Sequence, residues 1–144
     1  MDVDHTADDG SALRAGPVDA VLHLSPTADA PAVARRFVAD HRDHLPSDVV
    51  DDAQLLVSEL VGNAVRHGRT AIALRVRSSP PGIGVAVTDH GATPVEERVA
   101  MPDEHATSGR GLAIVAALSS AWGVDAADPP PGKTVWFELV APSG

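Results

Sequence analysis

A carboxylate, an amide and a guanidinium fall close together in the segment DDAQLLVSELVGNAVRHG: Glu59, Asn63 and Arg66. On a helix advancing roughly 100° per residue, Glu59 and Asn63 stand about 40° apart, with Arg66 within about 20° of Glu59. All three avoid the apolar stripe of Ala53, Leu56, Val57, Leu60, Val61, Ala64 and Val65. Oxygen donors on one face suit a hydrated Mg²⁺, and a carboxylate there can take a proton from a hydroxyl. An ordinary solvated helix face would read the same way.

Two further clusters follow. Asp89-His90-Gly91 comes directly after the strand-like VAVT. A carboxylate at a strand end can accept from an exocyclic amine such as adenine's, and the glycine lets a ring approach the backbone; Asp and Gly also start plain turns. Gly109-Arg110-Gly111 enters an apolar segment. A helix beginning there would offer unpaired N–H groups and a positive dipole end to a phosphate, or be only a pliant entry to a core helix.

The elements that must hold these clusters are readable. Residues 1–19 are acidic and without period, which predicts a disordered tail. Residues 20–24 read as a strand. Asp29 and Pro31 open a helix running to about His44, and Pro46-Ser47 open a second that stops at Gly68. TAIALRVR (70–77) and IGVAVT (83–88), joined by SSPPG, predict an antiparallel hairpin. Residues 89–108 lack a sustained period, which predicts a long, mobile connection with one helical turn around Val95–Val99; a loop of this length is usually functional or disordered. Residues 109–121 predict a helix, 122–126 and 134–140 strands. Trp122, Trp136, Phe37 and Phe137 are expected in the core. The whole predicts one α+β domain over 20–144, a two-layer sandwich with helices on one face of a mixed, mostly antiparallel sheet.

Composition narrows the chemistry. The chain has 144 residues, a net charge of −9 and no cysteine, which excludes disulfides and thiolate sites. The acidic balance argues against general nucleic-acid binding, and no apolar run reaches the roughly 18–20 residues that cross a bilayer. The N-terminus lacks a secretory pattern, so a cytoplasmic protein without membrane or nucleic-acid contacts is expected. Lys133 is the only lysine. It lies in ADPPPGKT (127–134), a near-match to a phosphate-binding loop, but three prolines have no N–H to donate and a strand, not a helix, follows. Asp40, His41, Asp43 and His44 read as a solvated helix end rather than a metal site.

Taken in order, these pieces resemble the histidine-kinase-like (GHKL) ATPases across about residues 20–140. LVSELVGNAVRHG is similar to their N-box, VTDHG to the first glycine box, TSGRGLAIV to the second, and GKTVWFEL to the last strand motif. ELVGNAVRHG, and WGV after the GRGL helix, look most like the stand-alone anti-sigma-factor serine kinases. A sensor kinase would carry a phospho-acceptor helix ahead of the N-box.

The resemblance implies a Bergerat-type ATP-binding fold and these roles. Asn63 would ligate Mg²⁺ and Glu59 would be the general base. Asp89 would bind the adenine amine, with Gly91 beneath the ring and Thr134 supporting it. His67, Gly109, Arg110 and Gly111 would meet the phosphates, and residues 90–108 would form the lid. The implied partners are a sigma factor and a small antagonist protein phosphorylated on Ser or Thr, and relatives often pair as homodimers. Two positions depart from the pattern. Gly62 stands where Thr is common, and Thr107 where some anti-sigma kinases carry Arg. The rival functions are a nucleotide-binding regulator without phosphoryl transfer and a catalytic part detached from a two-component histidine kinase.

Overall fold

The computed structural model describes residues 20–42, 45–68, 70–79, 82–91, 107–128 and 130–141. The expected acidic tail, and most of the expected lid, lie outside the described residues. The chain begins with β1 (Ala20–Leu24), then α1 (Ala30–Ala39) and α2 (Ser47–Asn63). Next come β2 (Ile72–Ser79), β3 (Gly82–Asp89), α3 (Thr107–Leu118), β4 (Ala121–Ala126) and β5 (Lys133–Val140).

The helix ends follow from local chemistry. Pro31 sits in the first turn of α1, where its missing N–H costs nothing. Asp29 stands at the N-cap without a side-chain capping bond; instead it accepts from the Thr27 hydroxyl at 2.5 Å, which holds its carboxyl below the usual range. The helix stops at Ala39, short of the expected His44. The Arg42 Nε donates to the Ala39 carbonyl at 2.8 Å and satisfies an end that a further turn would otherwise cover. After α2 the chain continues through a π-type turn, Ala64–Gly68.

The sheet order is β1-β2-β3-β5-β4, and every pairing is antiparallel. The element order predicts a mixed, mostly antiparallel sheet, and β3 and β4 are joined through α3. Those two strands do run the same way, but β5 inserts between them, so no parallel pair forms. Strand alternation then assigns the faces. Ile72, Leu74 and Val76 of β2, Ile83, Val85 and Val87 of β3, and Val135, Phe137 and Leu139 of β5 all enter one core. The α2 stripe of Ala53, Leu56, Val57, Leu60 and Val61 closes it from above. α2 packs on α1, α3, β3 and β5. Trp122 corrects the expectation of four core aromatics. It is 39% exposed, because β4 is an edge strand with little packed over it. Trp136 is buried, but on the sheet face away from the helices, over Gly123, where a Cβ would stand 2.7 Å from its ring. Among the described residues, no helix is long and apolar enough to cross a membrane.

Candidate functional site

Asn63 ends α2 and is only 8% exposed, so it is not part of a solvated face. Its Oδ1 accepts from Arg66 Nη2 at 2.8 Å. Arg66 lies inside the π-type turn, whose wider winding re-aims it relative to a continuing α-helix. A Cβ at Gly62 would stand 3.4 Å from Arg66 Nη1, an ordinary contact with the far end of that side chain. Glu59 is half-buried one turn earlier, and His67 is half-buried in the π-type turn. The amide oxygen and the carboxylate are hard oxygen donors of the kind Mg²⁺ takes, with water and ligand phosphates completing its shell. Among the described residues, no group of three or more His, Asp or Glu forms a cage for a metal. A cation at Asn63 would share Oδ1 with Arg66 and would take the rest of its shell from water and ligand phosphates.

The second half of the site is the end of the β3–β5 ladder. Register places Asp89 opposite Lys133. Alternation turns both toward the helices, on the same side as Val87 and Val135. Asp89 is 2% exposed. Its Oδ2 accepts from Lys133 Nζ at 2.5 Å, and its Oδ1 from the Gly91 N–H at 2.9 Å. The backbone behind it is pinned from two sides. The His90 N–H donates to Thr70 Oγ1 at 2.9 Å. Its ring Nδ1 is 3.1 Å from the Pro131 carbonyl, which can only accept, so this contact puts the proton on Nδ1. Gly132 adopts φ +117°, and a Cβ there would fall 2.1 Å from the Asp89 carbonyl oxygen. The proline-rich turn rejected as a phosphate loop is thus the buttress of the Asp89 turn.

Thr134 is placed differently from expectation. One position along β5 from Lys133, its side chain points to the face away from the helices. There its Oγ1 lies 2.6 Å from Thr88 Oγ1, and Arg75 Nη1 donates to Thr88 at 3.3 Å. These groups border a cavity of about 400 Å³ that also touches Arg77, Asp125 and Trp136. Support for Asp89 from β5 comes instead from Lys133. Sequence reasoning passed over it as part of a false motif; its being the only lysine was the available signal. Gly109, Arg110 and Gly111 lie within the first turns of α3, which starts at Thr107 rather than at the glycines.

Residues 24–139 match the family described as the histidine kinase-like ATPase domain. Among solved structures the chain is similar to the histidine kinase domain from the Erythrobacter litoralis EL346 blue-light activated histidine kinase. The identity is 20% and the TM-score 0.49, with 76% of this chain and 60% of that one covered. The chain thus spans less than two thirds of that domain's length. No curated protein matches it. The family match runs through α1, α2, the Asp89 turn, α3 and nearly all of β5, and so takes in both halves of the site: the chain belongs to the histidine kinase-like ATPase family, an ATP-binding domain.

Proposed function

We propose that this chain is an ATP- and Mg²⁺-dependent serine/threonine protein kinase of the anti-sigma-factor type. In this reading it is cytoplasmic, phosphorylates a small antagonist protein and holds a sigma factor in a partner switch. The observation that carries the nucleotide half is the buried Asp89 carboxylate, fixed at the strand end by Lys133 and Gly91. It is an acceptor aimed at one place out of water, which suits an exocyclic amine. The branch within the family rests on ELVGNAVRHG and WGV.

Glu59 is the proposed base. It would take the proton of the antagonist's hydroxyl while that oxygen bonds the γ-phosphorus, the bond to the bridging oxygen breaks and ADP leaves. Such chemistry needs mostly positioning and charge stabilisation. Mg²⁺ held at Asn63 would neutralise phosphate charge. His67, Gly109, Arg110 and Gly111 are proposed to face the phosphates and Gly91 the ring.

The regulator without phosphoryl transfer has its own support. Arg66 bonds Asn63 Oδ1, the atom the cation needs, and Thr107 stands where some anti-sigma kinases carry Arg. Incubation with ATP and candidate antagonists decides between them. The kinase reading predicts an acid-stable phosphoprotein with the native chain, and ATP binding without transfer in Glu59→Gln. Acid-labile phosphate would indicate a histidine kinase. ATP binding with no transfer to any antagonist would leave the regulator.

A further inference from the structure

The buried pair Asp89–Lys133 presents an acceptor directly beside a donor. Its geometry is set by the sheet: opposite register positions, Nζ to Oδ2 at 2.5 Å, side chains 11% and 2% exposed. Gly91 and the close approach of Gly132 hold the carboxylate side of the pair in place. An ammonium has three N–H groups and a carboxylate about four lone-pair sites, so the contact between them uses only part of either group's capacity. A carboxylate alone accepts from any amine. A carboxylate with a cationic donor at its side asks for an amine with an acceptor next to it. Adenine presents this on its Watson–Crick edge, the N6 amine beside ring N1. Guanine presents the reverse, O6 beside N1–H.

We propose that Lys133 is a specificity residue that donates to adenine N1 while Asp89 accepts from the N6 amine, so that the ion pair reads two adjacent atoms of the base. The inference rests on the reading of Asp89 as the adenine acceptor. Both contacts form out of water, where a polar group left without its partner is costly. Replacing N1 by a carbon therefore strands the ammonium's N–H, and the loss should be large.

The test is calorimetric titration of the full chain with ATP and with 1-deaza-ATP, in which ring N1 is a C–H. The native chain should bind 1-deaza-ATP about 10- to 100-fold more weakly, the size of a hydrogen bond to a charged group. Lys133→Met should bind ATP about as weakly as the native chain binds 1-deaza-ATP, and should no longer distinguish the two ligands. Lys133→Arg should restore part of the discrimination. A merely structural Lys133 would weaken both ligands equally in Lys133→Met and keep their ratio, which overturns the proposal. Equal binding of the two ligands by the native chain overturns it without any variant, so a poorly folded Lys133→Met does not shield it. If the native chain binds GTP but no adenine nucleotide, the reading of Asp89 falls as well. If ATP binds and the ratio is absent, only the role of Lys133 falls.

Discussion

The last two rungs of the β3–β5 ladder carry opposite kinds of chemistry on opposite faces. Asp89 and Lys133 face the helices as a buried pair of charges. Thr88 and Thr134, one position away on the same strands, face the other way as a neutral pair beneath Arg75 and beside the 400 Å³ cavity. The difference shows what burial demands of each. A buried charge needs a partner in fixed geometry, and losing it is expensive. Two hydroxyls satisfy one another at small cost, so that face can vary. The first arrangement is an aimed acceptor and donor, and the second has no comparable direction.

The strongest way to break this comparison is to remove one charge. Lys133→Met should lower stability by about 3–5 kcal/mol, because it leaves a carboxylate buried without its cation. Thr134→Val should cost only about 1 kcal/mol. Urea denaturation measures both, and similar losses would mean the two pairs are equivalent. The double variant Asp89→Asn with Lys133→Met should recover part of the loss, since no charge then remains buried.

The next effect comes from the glycines that serve each face. Gly132→Ala meets both a clash with the Asp89 carbonyl and φ +117°, so it should cost more than about 1–3 kcal/mol and disturb nucleotide binding. Gly123→Ala pushes on the Trp136 ring on the other face. It should cost about 1–3 kcal/mol and leave nucleotide binding unchanged. Thermal melts with and without ATP separate the two outcomes.

The smallest effect sharpens the helical half of the site. Gly62→Ala adds a Cβ that meets only the far end of Arg66, at 3.4 Å, so helix propensity should dominate. A gain of about 0.5–1 kcal/mol is expected by denaturant titration. A loss would mean that Arg66 on Asn63 leaves no room for a methyl group.

What could be read in the sequence divides along the same physical line. The stripe from Ala53 to Val61 and the alternation in TAIALRVR are local periodicities, and the buried residues follow them. Glu59 and Asn63 share a helix because their spacing says so. Asn63 and Arg66 are three apart and neighbours on a helix, so their bond follows the spacing; Asn63's burial does not, because it depends on what packs around the end of α2. The Asp89–Lys133 pair joins residues 44 apart and exists only through the β3–β5 register. A shift of one residue would have put Thr134 beside Asp89, as the motif order suggested. Side-chain alternation has a period of two, so register decides which residue faces the site.

The central claim, that Asp89 at the helix-facing end of the sheet is the adenine acceptor of an ATP site, is tested most directly by thermal shift with ATP and GTP on the native chain and on Asp89→Asn. The native chain should be stabilised by ATP, by roughly 2.7 kcal/mol at about 100 times the dissociation constant, and by GTP far less. Asp89→Asn should lose most of the ATP response. Equal stabilisation by GTP and ATP, or an undiminished ATP response in Asp89→Asn, would contradict it.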